Sequence, residues 1–178
     1  GAYTFGSSAQ PDFDGAALAR AGLVVVSCNY RVGFEGFGHV PGFSDNRGLL
    51  DQAAALRWVQ ENIEAFGGAP DNVTVAGHSS GAGSVACLMA MPQIKGLFRR
   101  AIAHSVPNAF YTVELAAAVA ERIAAKAGVA PTAEGLLSLP PLALVAASDK
   151  VAAQCRAVPV AAIHAYDPVI FQPVVDGE

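Results

Sequence analysis

The sequence is short of charge, and it contains no long hydrophobic run. Only 15% of its 178 residues are charged, and the formal net charge is −4. This balance argues against a nucleic-acid-binding protein, which normally presents a basic face. No uninterrupted run of about 18 apolar residues occurs, so no membrane span is predicted. The 53% hydrophobic content also excludes a disordered polar segment and a collagen-like repeat.

Cysteine is scarce as well, with only Cys28, Cys87 and Cys155. Their odd number and wide spacing predict neither a disulfide framework nor a metal site, so we interpret them as small buried residues. The sparse charge is low for a small free-standing domain, whose surface is large relative to its volume. Because the chain also lacks a starting methionine and ends on an apolar run, we expect a piece of a larger architecture. The alanine-rich composition favours a bacterial, cytoplasmic protein.

Short apolar runs alternate with helical periodicity, which is typical of a parallel sheet covered by helices. Strands are predicted at residues 23–29, 73–76 and 101–104, and the glycine-rich segment 31–43 is predicted to be irregular. Helices are predicted at 46–66, 80–91 and 113–127, and in two pieces over 132–156. Asp45 or Asn46 is expected to cap the first helix and Gly67 to end it. Thr112 is expected to cap the helix at 113–127, and Gly128 to end it.

One motif carries chemistry: Gly77-His78-Ser79-Ser80-Gly81 fits the nucleophile elbow G-x-S-x-G. A serine on a tight strand-to-helix turn needs a strained backbone, and flanking glycines remove side chains that would collide there. The turn also places the serine at a helix N-terminus, where free N–H groups stabilise developing negative charge. An ordinary Gly-Ser turn is the alternative, but the preceding β-branched run and the following Ala-rich helix favour the elbow.

The motif and its surroundings resemble the type-B carboxylesterases, the family of cholinesterases and bacterial para-nitrobenzyl esterases. The resemblance spans nearly the whole chain, although residues 112–165 match only in helical character. The matching segments are Asn29-Tyr30-Arg31-Val32-Gly33, Gly48-Leu49-Leu50-Asp51-Gln52, Phe66-Gly67-Gly68 with residues 73–81, residues 96–102 and residues 173–178.

The resemblance implies an α/β-hydrolase fold, a mostly parallel sheet with helices on both faces, of which residues 1–178 form an incomplete part of a single domain. It implies hydrolysis of small or medium carboxylic esters through an acyl-enzyme on Ser79, without cofactor or metal. Gly1, Ala2 and Ser80 would supply the backbone donors of the oxyanion hole. The family's acid and histidine base lie downstream of the segment that residues 173–178 resemble, so we expect both outside this chain and the isolated chain to be inactive.

Histidines inside the chain are therefore not expected to act as the base. His78 stands where the family commonly has glutamate, and on a tight turn it points away from the adjacent Ser79 hydroxyl, so we expect a supporting role. His39, His104 and His164 are interpreted as packing or solvent-facing residues. Loop aromatics form a candidate acyl pocket: Tyr3, Phe5, Phe34, Phe37, Phe43, Phe110 and Tyr111.

Two other functions stay open at this point. Some cholinesterase-like proteins are non-catalytic binding or adhesion modules, although the intact Ser79 elbow argues against that class. A lipase or thioesterase of another α/β-hydrolase family is the second alternative, which the long match from Asn29 to Ile102 disfavours. The partner expected is a small-molecule ester, with no nucleic acid and no membrane span, and the oligomeric state is left open.

Overall fold

A computed structural model describes residues 1–157 and 169–177. Its central sheet pairs β1 (Thr74–His78) with β2 (Arg100–His104) in parallel, with Thr74 opposite Arg100 and His78 opposite His104. A second parallel pair joins β3 (Tyr111–Thr112) to β4 (Val174–Val175). The α-helices are α1 (Ala16–Arg20), α2 (Gly33–Phe37), α3 (Arg47–Asn62), α4 (Ser80–Ala90), α5 (Val113–Ala127), α6 (Ala133–Leu137) and α7 (Pro141–Ala157).

Two hydrophobic clusters hold these elements together. The larger cluster packs α5, α6 and α7 against α2, around the fully buried Ile123, Leu136 and Phe171. The smaller cluster packs α3 and α4 on one face of β1 and includes Ala53 and Leu88. The opposite face of the sheet is exposed, with Ile102 at 46% exposure.

The predicted helices and their ends are largely confirmed. The Thr112 hydroxyl accepts a hydrogen bond from the Leu115 N–H at 3.3 Å, which caps α5, and Gly128 follows that helix at φ 76°. Gly67, at φ 80°, ends the short 3₁₀ turn Ile63–Phe66 that extends α3. The left-handed conformation at both glycines is the one that commonly stops a helix.

None of the helices in the described residues combines the length and the hydrophobicity that a membrane span requires.

The strand predicted at residues 23–29 is wrong. This segment belongs to neither strand pair. Its side chains, from Leu23 (56% exposed) to Val26 (47% exposed), face solvent. A β-branched run favours a strand only where a neighbouring strand pairs with it and a packed layer covers it, and the described residues supply neither. Cys28 in this segment is exposed, so its predicted burial is also wrong, while Cys87 and Cys155 are partly buried.

The segment predicted to be irregular contains a helix, α2, whose carbonyls bind a partly buried arginine. The Arg47 guanidinium donates to the carbonyls of Phe34 at 3.0 Å, Glu35 at 2.8 Å and Gly38 at 2.6 Å. The last carbonyls of a helix have no partner within it, so these bonds stabilise the end of α2. Burial lowers the pKa of Arg47. The glycine count alone could not reveal this distant partner.

Asn46 does not cap α3 as predicted, but holds β4 in place. It adopts a left-handed conformation at φ 55° and makes no side-chain capping bond. Instead its amide donates to the carbonyl of Val174 and to the Asp176 carboxylate and accepts from the Val174 N–H, each at 2.8 Å. Asn46 therefore joins the start of α3 to a strand far away in the sequence.

We expect Asn46→Ala to destabilise the protein by about 2–4 kcal/mol. The change removes three hydrogen bonds, each contributing about 1 kcal/mol, and leaves an alanine at positive φ. Urea unfolding measures the loss. The control is Asn62→Ala, which removes one exposed bond to the Trp58 carbonyl. Equal effects of the two changes would contradict the role given to Asn46.

A bidentate ion pair attaches the loop after residue 29 to α3. The Arg31 guanidinium binds both oxygens of the Asp51 carboxylate, at 2.8 and 2.7 Å, and the Arg31 backbone N–H donates to the same group at 2.9 Å. These bonds hold the pKa of Asp51 below its ordinary value. The Arg31 side chain is 50% exposed, so the pair is worth at most about 1 kcal/mol.

Stability should depend on this pair in a pH-specific way. Because the folded-state pKa of Asp51 is depressed, its contribution is complete above the unfolded value of about 3.9 and is lost as the pH falls through the folded value. The stability difference between the parent and Asp51→Asn should therefore be constant above about pH 5 and shrink below about pH 4. Urea midpoints measured across that range test this. A difference that grows in acid would contradict it.

Candidate active site

The nucleophile-elbow serine lies on an abrupt turn between β1 and α4. Ser79 has φ 55° and ψ −122°, outside the regions that side-chain-bearing residues normally adopt. Two backbone bonds hold it: its N–H donates to the His104 carbonyl at 2.9 Å, and its carbonyl accepts from the Gly83 N–H at 3.0 Å. Strained backbone of this kind persists only where the surroundings impose it, and it concentrates at functional sites.

The two glycines of the motif have different roles. A Cβ atom at Gly77 would lie under 3.0 Å from the backbone of Gly81 and Ala82, so only glycine fits there. A Cβ atom at Gly81 would meet open space. The expectation that both glycines avoid a side-chain collision is therefore right for Gly77 and wrong for Gly81, whose backbone is the surface that Gly77 contacts.

The turn exposes Ser79 at the start of a helix. Ser80, buried at 5% exposure, is the first residue of α4. Its backbone N–H has no acceptor within the helix, as is normal for a first turn, and the helix dipole adds partial positive charge there. The site can therefore stabilise negative charge that develops beside the Ser79 hydroxyl.

The proposed oxyanion-loop residues form a tight turn at the N-terminal end of the described chain. Ala2 and Tyr3 have φ 54° and 56°, and the N–H groups of Thr4 and Phe5 donate to the Gly1 carbonyl at 3.1 and 3.3 Å. The Gly1 nitrogen donates to the Phe5 carbonyl at 2.5 Å, within this turn. The Ala2 N–H donates to no acceptor in the described part of the chain.

The structure brings no described histidine into a hydrogen bond with the Ser79 hydroxyl. His78 and His104 are exposed at the ends of their strands. His39 Nδ1 instead lies 3.1 Å from Asp45 Oδ1, in the loop after α2. His164 lies outside the described residues. Residues 1–157 and 169–177 also contain no group of histidine, cysteine and carboxylate side chains that could hold a metal ion.

The candidate aromatic acyl pocket is only partly supported. Tyr3, Phe34 and Phe37 are buried in the larger hydrophobic cluster, where Phe34 and Phe37 line a narrow crevice together with Tyr111. The Tyr3 and Phe37 rings pack 4.7 Å apart. Phe5, Phe43 and Phe110 are exposed, and the Tyr111 hydroxyl donates to the Val169 carbonyl. Three of these aromatics therefore stabilise the fold, and spacing within a loop could not distinguish that role from a binding role.

Sequence reasoning does not single out Ser84, a residue that the structure places at the centre of a buried polar group next to the elbow. Ser84 is 1% exposed on α4 and accepts a hydrogen bond from Gln52 of α3 at 3.3 Å. A serine inside an Ala-rich helix gives no signal of such contacts, because its partners come from distant parts of the chain. Only its position five residues after Ser79 could have drawn attention to it.

A serine on a strained strand-to-helix turn, beside a parallel strand and with helices on the sheet, defines an α/β-hydrolase. The solved structures that this chain resembles agree. A PNB esterase superposes with a TM-score of 0.86 at 40% identity, over 99% of this chain and 38% of that one. A Geobacillus stearothermophilus carboxylesterase gives a TM-score of 0.85 at 42% identity, over 99% and 38%.

Within this class, the chain belongs to the carboxylesterase family, whose model matches residues 1–178. It is 45% identical to the para-nitrobenzyl esterase of Bacillus subtilis (strain 168), over 99% of this chain and 36% of that protein. It is 41% identical to the acetylcholinesterase of Gallus gallus, over 100% of this chain and 24% of that protein. The chain therefore spans little more than a third of the length of the bacterial esterase and a quarter of the cholinesterase.

Gly77→Ala should destabilise the protein by about 3 kcal/mol or more, because overpacking costs 1–3 kcal/mol even where neighbours can yield, and here the neighbour is backbone. Urea unfolding measures the change. Gly81→Ala is the matched control. It adds a methyl group in open space and replaces a helical glycine, which should leave stability unchanged or raise it by up to about 1 kcal/mol. Similar losses in both variants would show that the Gly77 contact is not the constraint.

Proposed function

We propose that this chain carries the nucleophile of a serine hydrolase that cleaves small or medium carboxylic esters without a cofactor. The observation that carries the proposal is the strained backbone of Ser79 at the exposed start of α4. This conformation presents the serine hydroxyl to a substrate and sets it beside unpaired helix N–H groups. Relatives named as esterases support an ester as the substrate.

The proposed reaction proceeds through an acyl-enzyme. The Ser79 oxygen attacks the ester carbonyl carbon while its proton passes to a histidine base, and the carbonyl oxygen becomes an oxyanion. The tetrahedral intermediate then collapses, and the alcohol leaves with that proton. Water, deprotonated by the same base, attacks the acyl-serine and releases the carboxylic acid. Ser79 regains its proton, so the chain is unchanged at the end of the cycle.

Backbone N–H groups stabilise the oxyanion in this proposal. Ser80 contributes the first-turn N–H of α4, and Ala2 contributes an N–H from the left-handed turn at residues 1–5. Gly1 is the third donor, as the family resemblance implies. In this structure the Gly1 nitrogen donates to the Phe5 carbonyl. Removing one such donor typically lowers kcat by about 10²–10³-fold.

We further propose that the acid and the histidine base lie outside residues 1–178. Two observations support this. No described histidine side chain makes a hydrogen bond to the Ser79 hydroxyl, and His39 is instead paired with Asp45. The bacterial esterase relative is also nearly three times as long as the region that matches. An unactivated serine hydroxyl is a weak nucleophile near neutral pH.

The test uses the polypeptide translated from the whole reading frame that contains residues 1–178. We expect Ser79→Ala to abolish para-nitrophenyl ester hydrolysis and labelling by a fluorophosphonate probe, because both require the serine oxygen. The control is Ser138→Ala, which removes an exposed hydroxyl bonded to the Gly135 carbonyl and should retain full activity. Residues 1–178 alone should show negligible turnover.

Three outcomes would overturn parts of this proposal. Hydrolysis that survives Ser79→Ala would remove the nucleophile assignment. A folded parent protein that resists the probe would instead favour a non-catalytic binding module. Substantial turnover by residues 1–178 alone would place the base within this chain.

A further inference from the structure

A buried hydroxyl on α4 lies near polar side chains from three other parts of the chain. Ser84 Oγ accepts from Gln52 Nε2 at 3.3 Å, and the same amide donates to the Gly48 carbonyl within α3 at 3.1 Å. Burial raises the pKa of the Tyr3 and Tyr30 phenols, and the nearby Ser84 hydroxyl acts on both in the opposite direction. We call Ser84, Gln52, Tyr3 and Tyr30 the Ser84 cluster.

Tyr3 belongs to the N-terminal turn, and its side chain also contacts α4, the helix that follows Ser79. Its side chain is 3% exposed, and its ring packs on Phe37. Its hydroxyl lies against the backbone of Gly83, so closely that a Cβ atom at Gly83 would collide with it. Its backbone carbonyl accepts from the Gly33 N–H at 2.7 Å. Contacts of both its side chain and its backbone therefore hold Tyr3 in place.

The turn that Tyr3 belongs to needs such support. Ala2 and Tyr3 are consecutive non-glycine residues at positive φ, a conformation that L-residues adopt only when other contacts impose it. The backbone bonds of the turn come from Thr4 and Phe5 to Gly1 and do not reach α4. The Tyr3 side chain connects this turn to the helix that begins at the elbow.

We propose that Tyr3 and Ser84 are positioning residues that set where the Ala2 N–H lies relative to the Ser79 hydroxyl. Tyr3 follows Ala2 directly in the chain, and Ser84 lies on the helix that begins one residue after Ser79. The Tyr3 hydroxyl lies against Gly83, the neighbour of Ser84 on that helix, and this contact fixes the two halves of the oxyanion hole against each other. Neither residue touches the substrate. The inference rests on the proposed function, because it assigns the support of the same site.

This role predicts a loss confined to the transition state. The oxyanion exists only after attack, so a displaced donor should lower kcat and leave KM nearly unchanged. A displacement of about 1 Å can cost on the order of 10²-fold in rate. We therefore expect kcat to fall by about 10- to 100-fold when either hydroxyl is removed.

The experiment compares Tyr3→Phe and Ser84→Ala with Ser148→Ala in the polypeptide of the whole reading frame. Ser148 is a matched control: it is a buried helical serine at 5% exposure, bonded to the Leu144 carbonyl at 2.7 Å in α7. The measurements are kcat and KM for para-nitrophenyl acetate, the inhibition constant of a trifluoromethyl ketone that mimics the tetrahedral intermediate, and the Tm.

Tyr3→Phe and Ser84→Ala should each weaken trifluoromethyl ketone binding in proportion to the fall in kcat, whereas Ser148→Ala should change only the Tm. Two results would overturn the proposal: a fall in kcat below about twofold for both cluster variants, or an equal fall for Ser148→Ala. The first would show that the oxyanion loop holds itself, and the second that any loss of stability slows the reaction.

A second readout separates this inference from the proposed function. Hydrogen exchange at the Thr4 and Phe5 amides reports the N-terminal turn and needs no activity. Both cluster variants should speed exchange there by about tenfold or more relative to Ser148→Ala, which corresponds to about 1.4 kcal/mol of local opening. If the parent shows no Ser79-dependent hydrolysis, the proposed function fails. Unchanged hydrogen exchange at Thr4 and Phe5 in both cluster variants would overturn the positioning role, whatever the activity.

Discussion

The backbone of Gly77 lies directly against the backbone of Gly81, and this contact allows β1 to turn into α4 at a single residue. A side chain at Gly77 would separate the strand from the helix and relax the turn. The strained φ of Ser79 follows from the close approach, since no ordinary conformation joins the two elements at that distance. The bond from the Ser79 N–H to the His104 carbonyl extends the constraint to β2. The close packing of Gly77 against Gly81 therefore sets the position of Ser79, and the serine side chain does not.

Polar side chains on α3, and on the residue before it, hold separate segments of the chain in place by hydrogen bonds. Arg47 binds the carbonyls at the end of α2, Asn46 binds β4, and Asp51 binds Arg31. Each of these side chains reaches from α3, or from the residue before it, to a separate segment: the end of α2, β4 or Arg31. Buried backbone groups must find partners, and here one helix supplies many of them. α3 thus acts as a support for the loops as well as a packing element.

The features predictable from the sequence are those set by neighbouring residues. The elbow, the helix that follows it, and the Thr112 cap with Gly128 after α5 all depend on contacts within a few positions. Three features were beyond such reasoning: the exposure of residues 23–29, the helix α2, and the contacts of Asn46. Strand formation needs a neighbouring strand, α2 needs Arg47, and the Asn46 side chain bonds a segment that no local pattern connects to it.

The residues of the site divide in the same way, into those set by neighbouring residues and those set by distant contacts. Ser79 and Ser80 could be placed from the motif because a strand, a turn and a helix follow one another in the chain. The supporting contact between Tyr3 and α4 could not be anticipated, since a tyrosine in a glycine-rich loop is equally typical of a pocket wall. Burial decides between the two readings, and burial depends on the whole fold. Loop aromatics are for this reason poor evidence for a pocket until their packing is known.

The Asn46 bonds to Val174 span 128 positions in the sequence, which has a consequence for the order of folding. Closing a flexible loop of that length costs on the order of 4 kcal/mol in chain entropy, more than the three bonds return. We therefore expect the contact to form after the intervening helices have collapsed and shortened the effective loop. It belongs to the late stage of folding, as do most contacts of high sequence separation. The Asn46 contact thus stabilises a structure that has already assembled and does not nucleate its folding.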